Sequence, residues 1–225
     1  MHLQRLILAA ALACVGASPG DSDGWQSLYD GKGGLDGWVA EGQTVRPEGG
    51  KTLPVWTADG DRIVCDGKGF GFLRYDRREF ADFAWHVEFK LAPKCNTGLG
   101  IRTRDFNPIQ SMATRPSKYS YEIQLIDDVG KPPSVHSSGS LYRYVAPSAG
   151  ALKPAGEWNA IDVECVGARI KVTINGVGVI DVDQSTVADL KSKPLKGYVC
   201  LQNHGGRVEF RAIRVKDLAP TPAVP

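Results

Sequence analysis

The sequence predicts an all-β chain folded as an antiparallel two-sheet jelly-roll sandwich. Three observations predict it: apolar residues recur with period two and almost nowhere with period 3.6, an Asn175-Gly176 pair separates two alternating runs, and Gly or Pro divides most of the others. Alternation sends neighbouring side chains to opposite faces, so each run has one apolar and one polar face. Sheets made of such strands must stack their apolar faces on a second sheet.

At the start of the chain, Arg5 precedes the apolar run 6–15, which is too short to span a bilayer as a mature helix and reads as a signal peptide over residues 1–17. The small residues Val15-Gly16-Ala17 place cleavage after Ala17. A minority alternative is a lipoprotein box ending at Cys14, with Ala11 where Leu is usual, which would put a lipid anchor on Cys14. The expected location is periplasmic or extracellular, with no transmembrane helix in the mature protein. One domain over 23–218 follows from 42% hydrophobic residues in a chain of 225, enough for one sizeable core. Residues 219–225, rich in Pro and small side chains, are expected to be disordered. The 27 basic and 25 acidic residues are interspersed, so nothing points to nucleic acid or an anionic membrane surface as a partner.

In 84–91, Trp85, Val87, Phe89 and Leu91 share one face while His86, Glu88 and Lys90 share the other. Runs at 99–103, 119–126, 161–166, 169–174, 198–202 and 208–215 alternate similarly. Asn175-Gly176 supplies two residues that tolerate positive φ, as a two-residue hairpin turn demands. A short helical turn is expected within 185–196. The stretches 41–54, 107–118 and 129–138 read as long loops, which in compact domains tend to bind ligands. With Cys14 removed, Cys65, Cys95, Cys165 and Cys200 remain in a chain bound for an oxidising compartment. At most one or two disulfides are expected, in any of three pairings, with Cys165 and Cys200 at least as well suited to be buried thiols. Their spacing does not fit a structural zinc site.

The stretch 119–128 carries the most chemistry. As a strand it sends Tyr121, Ile123 and Leu125 to the core and Glu122 and Gln124 to the other face. Asp127 has core parity and joins them only if a bulge or the strand end re-aims it. In 98–104, the polar face holds Gly98, Gly100, Arg102 and Arg104, and glycines in a strand mark close approach. In 198–205, Tyr198, Gln202 and His204 share parity. Together these residues describe a concave face with Arg102, Glu122, Gln124, Gln202 and His204, and Tyr142, Tyr144 or Trp38 to stack on a ring. Planar hydrogen-bonding groups with aromatics suit a carbohydrate. No Gly-rich loop opens a helix for a phosphate, and no Gly-x-Ser-x-Gly elbow supports a serine hydrolase.

Over nearly all of 25–218 the chain resembles the 3-keto-disaccharide hydrolase family. The resemblance rests on the order and spacing of Ser27-Leu28-Tyr29-Asp30-Gly31, Leu35-Asp36-Gly37-Trp38, Cys95-Asn96-Thr97-Gly98, the stretch 121–128, Ser138-Gly139-Ser140-Leu141-Tyr142, Asn175-Gly176 and Leu201-Gln202-Asn203-His204-Gly205. It implies a concanavalin A-like lectin/glucanase fold, export, and activity on oxidised glycosides. The Glu122-x-Gln124-x-x-Asp127 pattern is also similar to the Glu-x-Asp-x-x-Glu strand of laminarinase-like glycosidases, but Gln124 cannot ionise and Asp127 is shorter than Glu, which speaks against retaining hydrolysis.

A ketone at C3 of a sugar acidifies the C2 hydrogen, so a base and an enolate stabiliser suffice for elimination of the C1 substituent and later hydration. The catalytic candidates are Glu122 or His204 as base, Arg102 as electrophile and Asp127 orienting His204. Gln124, Gln202 and Tyr142 are the substrate-binding candidates. Asp127 is equally a candidate ligand for a divalent metal, the one cofactor left open. The alternative function is a non-catalytic, lectin-like carbohydrate-binding module.

Overall fold

The structure is a computed structural model that describes residues 23–105 and 115–218. The predicted signal peptide, most of the 107–118 loop and the tail 219–225 lie outside the described residues. Strands β1 (Gln26–Ser27), β2 (Trp38–Gly42), β3 (Val45–Glu48), β4 (Lys51–Pro54), β5 (Trp56–Asp59), β6 (Arg62–Gly67), β7 (Gly71–Tyr75), β8 (Phe83–Leu91) and β9 (Asn96–Thr103) precede helix α1 (Pro116–Tyr119). After it come β10 (Tyr121–Ile126), β11 (Trp158–Val166), β12 (Arg169–Ile174), β13 (Val177–Asp183), β14 (Tyr198–Asn203) and β15 (Gly206–Asp217).

Among the described residues all of these strands except β3 and β4 form two antiparallel layers. The larger sheet runs β13-β12-β11-β8-β15-β6-β5, with β1 added on β15, and the smaller runs β10-β9-β14-β7-β2. Strand β8 lies at the middle of the larger sheet because its alternation is unbroken: Phe83, Trp85, Val87, Phe89 and Leu91 are buried, and the residues between them are half-buried. Ile161, Val163, Val208 and Phe210 extend this inner face, and Leu73, Leu99, Ile101, Ile123 and Leu201 answer it from the smaller sheet. Burying a side chain of this size contributes roughly 1.5–3 kcal/mol, so register is set by keeping these residues inward. The outer face of the larger sheet is knit by pairs such as Arg211–Glu88 at 2.6 Å and Lys90–Glu209 at 3.0 Å.

Asn175 and Gly176 sit at φ 50° and 80°, between β12 and β13, as the hairpin turn requires. The helical turn expected in 185–196 is a 3-10 turn at Gln184–Thr186. Two expectations change. The 41–54 stretch is not a plain loop: β3 and β4 pair across Gly49-Gly50 as a separate hairpin. Cys65, Cys95, Cys165 and Cys200 are all free and buried, so the expectation of a disulfide is not met.

Arg102 is the third correction. Tyr198 pairs with Thr103 while Cys200 pairs with Gly100, so β9 holds one residue more than β14 over this span. Arg102 takes φ 53° in that bulge and leaves the polar face its parity predicts. Its side chain is fully buried, and Nη2 donates to the carbonyls of Gly167 at 2.8 Å and Ala81 at 3.0 Å. Nη1 donates to Gln184 Oε1 at 3.3 Å, and Gln184 Nε2 in turn donates to the carbonyl of Lys193 at 3.0 Å. Arg102 thus ties the smaller sheet to the β11–β12 turn and the segment before β8.

A second buried cluster lies at the β2–β7 edge of the smaller sheet. Arg74 meets Glu41 at 3.2 Å, Asp105 at 3.8 Å and also Asp76, and its guanidinium lies 4.6 Å from the ring centre of Tyr198. Burial, reinforced by a hydrogen bond with Asp105, pushes the Glu41 carboxyl up to about 7.

Two predictions follow from these clusters. Arg102→Leu strands the Gly167 and Ala81 carbonyls, and urea denaturation should show a loss of about 3 kcal/mol; an unchanged midpoint would remove Arg102 from the tether. Glu41 holds its proton in the folded chain up to about pH 7, whereas an unfolded glutamate releases it near its ordinary value of 4.5. Its contribution to stability is therefore complete below 4.5 and lost as pH rises through 7. Urea midpoints across that window should fall with pH in the wild type and flatten in Glu41→Gln.

Candidate active site

Once the inner face of the smaller sheet is committed to the core, its outer face carries the polar residues in two cross-strand rows. In one row Val39, Arg74, Cys200, Gly100 and Glu122 stand opposite one another in turn. In the next, Glu41 faces Phe72, Phe72 faces Gln202, and Gly98 faces Gln124. Both rows have glycine on β9. A Cβ at Gly98 would lie 3.3 Å from Glu122 Cγ and 3.5 Å from Gln202 Oε1, and one at Gly100 would lie 2.4 Å from Cys200 Sγ. The cleared space is filled by these side chains, which lets Glu122 lean from β10 toward Gln202 on β14.

Glu122 is buried, and the desolvation raises its carboxyl above the usual range. Hydrogen bonds from Gln202 and Ser117 and the charges of Arg115 and Arg143 oppose that rise. Ser117 and Arg115 arrive through α1. Pro116 at its start holds the preceding Arg115 extended, at φ −59° and ψ 147°, and the carbonyl of Pro116 accepts the Ser120 N–H to close the turn. Gln202 is buried too, and its Oε1 has no hydrogen-bond partner among the described residues.

His204 sits in the turn between β14 and β15, just before Gly205 and Gly206, both at positive φ. Its ring meets Phe70 edge-on at 5.2 Å, and the Arg115 guanidinium stacks 3.9 Å from the centre of the same Phe70 ring. Partial burial, with the Arg115 charge added, lowers the imidazole below its ordinary value, favouring the neutral ring. Tyr142 is set by its own backbone, whose N–H donates to the Glu122 carbonyl at 2.8 Å along the open edge of β10. Phe70, Arg115, Ser117, Glu122, Tyr142, Gln202 and His204, with Lys118 and Arg143, line one cleft of about 40 Å³.

The structure therefore brings Glu122, Gln202, His204 and Tyr142 together, and leaves three candidates out. Arg102 is inside the sandwich because of the bulge described above. Asp127 does not orient His204: its Oδ2 accepts the backbone N–H of Lys94 at 2.8 Å and caps a turn where Lys94 has φ 62°. Among the described residues no group of three His, Cys, Asp or Glu is arranged to hold a metal ion, so Asp127 is not part of one. Gln124 has the right parity, but it is buried with Oε1 turned to the Leu125 N–H at 3.2 Å, away from the cleft lining. Of the aromatic candidates, Trp38 is a core residue donating Nε1–H to the Leu28 carbonyl, and Tyr144 donates its hydroxyl to the Ser117 carbonyl.

Sequence reasoning missed Arg115, Ser117, Phe70, Lys118 and Arg143. The signal for the first two was the length of the 107–118 loop, in which Arg115 and Lys118 are the only cations. Phe70 and Arg143 carried no period or motif that could have marked them.

Three comparisons bear on identity. A curated 3-keto-disaccharide hydrolase of Bacteroides thetaiotaomicron is 23% identical over 240 aligned positions, covering 89% of this chain and 80% of that one. The crystal structure of a candidate glycosyl hydrolase from Parabacteroides distasonis ATCC 8503 superposes with a TM-score of 0.69 at 21% identity, over 87% of this chain and 95% of its own. A galectin-like Bacillus subtilis protein of unknown function superposes at 0.50 with 13% identity, over 83% and 92% of the two chains, which marks the lectin-type sandwich. With the 3-keto-alpha-glucoside-1,2-lyase-like domain matched over residues 24–216, the chain belongs to that family.

Proposed function

We propose that this protein is an exported enzyme that cleaves 3-keto glycosides at the cleft between Glu122 and His204. The observation that carries the reading is the joint presence in one cleft of a carboxyl raised by burial, an imidazole held neutral and a guanidinium beside both. Groups whose environments push their protonation in opposite directions are suited to acid and base roles. Sugar binding alone needs neither. The cleft is too small to enclose a pyranose, so it takes the reacting edge of the ring while the rest lies across its mouth.

In this reading His204 removes the proton from C2 of the keto sugar. The electron pair left behind is delocalised onto the C3 oxygen, which Arg115, in place of Arg102, stabilises as the enolate forms. Collapse of the enolate forms the C1–C2 double bond and breaks the C1–O bond. Glu122, protonated, delivers its proton to the departing oxygen. Water then adds at C1 as a proton returns to C2, giving the free 3-keto sugar. Gln202 Oε1, without a partner among the described residues, accepts a hydrogen bond from a sugar hydroxyl, and Tyr142 flanks the ring. Export rests on the leader read at residues 1–17, with mature protein beginning after Ala17; an intact Met1 in recovered periplasmic protein would contradict it.

The direct test is release of nitrophenol from a nitrophenyl 3-keto-α-glucoside beside its unoxidised parent, which should be inert. Glu122→Gln and His204→Ala should each lower kcat by about 10²-fold or more, the usual scale for a lost general acid or base. Their melting temperatures should stay near wild type, since neither side chain fills the core between the sheets. Full activity in both variants would reject the site. A wild type that binds sugars yet releases nothing from keto glycosides would make the protein a lectin-like binding module.

A further inference from the structure

We infer that the sugar taken by this cleft carries a negative charge of its own, as in a hexuronic acid, and that Lys118 and Arg143 recognise it. The inference rests on the keto-glycoside reading of the site. That chemistry develops one negative charge, on the C3 oxygen, and Arg115 answers it. The cleft nevertheless holds three cations, Arg115, Lys118 and Arg143, and of its lining residues only Glu122 has a carboxyl.

These cations are not balanced elsewhere. Among the described residues no carboxylate stands within ion-pair distance of Arg115, Lys118 or Arg143, and residues 106–114, the remainder of the adjoining loop, contain no Asp or Glu. The contrast with other arginines of this protein is sharp. Arg62, Arg78, Arg169, Arg207 and Arg211 each hold a carboxylate. Arg74, on the same outer face two strands from Gly98, is paired with Asp76 and lies 3.8 Å from Asp105.

Arg143 supplies a second, independent observation. Its φ is 78°, in the left-handed region that a long side chain rarely occupies. Its N–H donates to the Val135 carbonyl at 2.8 Å, and the residue before it, Tyr142, is bonded to the Glu122 carbonyl. A strained conformation is thus held by the same ladder that carries Glu122, and it presents a guanidinium at the cleft. Strain of this kind concentrates where a side chain must be aimed at a ligand. A planar guanidinium with an ammonium beside it matches a carboxylate, which accepts two parallel hydrogen bonds from arginine. The buried Gln202 Oε1 supplies the acceptor for a neighbouring hydroxyl.

The test compares nitrophenyl 3-keto-α-glucuronide with nitrophenyl 3-keto-α-glucoside, which differ only at C6. The full-length protein should show a kcat/KM about tenfold or more in favour of the glucuronide at low ionic strength, with the ratio shrinking as salt is added. Lys118→Gln and Arg143→Gln should each reduce that ratio several-fold. Calorimetric binding of methyl α-glucuronide against methyl α-glucoside reads the same preference without turnover. Turnover of both keto substrates at equal rates, or a faster glucoside, overturns the anion inference and leaves the keto-glycoside reading standing. No turnover of either, with methyl α-glucuronide still bound more tightly, supports the anion inference and removes the catalytic one. Equal binding without turnover sinks both.

Discussion

Burial of the alternating face of β8 against the smaller sheet is the constraint on which the remaining structure depends. Phe83, Trp85, Val87, Phe89 and Leu91 occupy the middle of the larger sheet, and their partners across the sandwich can only be the inward residues of β7, β9, β10 and β14. A strand has two faces and period two. Once Leu99, Ile123 and Leu201 turn inward, Gly98, Glu122 and Gln202 are obliged to turn outward together. The site is in this sense a by-product of the core.

That outer face would be an ordinary solvated surface if β9 carried side chains there. Glycine at 98 and 100 removes them, so groups from β10 and β14 close over the strand between them and Glu122 reaches Gln202. The chain then brings α1 over the same spot, adding Ser117 and Arg115, while Phe70 wedges between Arg115 and His204. Together these groups exclude water from Glu122, and that desolvation raises its carboxyl against the opposing pull of the Gln202 and Ser117 hydrogen bonds and the Arg115 charge, while the same enclosure with a nearby guanidinium keeps His204 neutral. Opposite shifts in two neighbouring groups arise from one enclosure, because desolvation disfavours the charged form of an acid and of a base alike. The Glu41–Arg74 cluster, on the same face but with its cation already neutralised, lacks the open cationic character of the cleft.

Two polar residues that parity and motif nominate for chemistry are used for architecture instead. Arg102 is displaced by a one-residue bulge and satisfies carbonyls between the sheets, and Asp127 caps the turn at Lys94. Both are long-range effects. A bulge depends on how many residues the partner strand offers between two fixed pairs, and a cap depends on which backbone N–H comes within reach once β9 and β10 are docked.

The sequence by itself determined the strands, the Asn175-Gly176 turn, the two-layer arrangement and the shared outward parity of Glu122, Gln202 and His204, because period and turn chemistry are local and survive without knowledge of partners. The family likewise was legible from the order of short motifs. Only the tertiary structure decided that Arg115 and not Arg102 supplies the guanidinium, that Gln124 is turned from the cleft, and that the 41–54 loop is a hairpin. It also decided that Cys65 and Cys95, like Cys165 and Cys200, are free buried thiols, and that Phe70, Lys118 and Arg143 belong to the site. The physical reason is the same in each case: a side chain's role is set by which distant backbone or charge lies within a few ångströms of it, and parity along one strand carries no information about that distance.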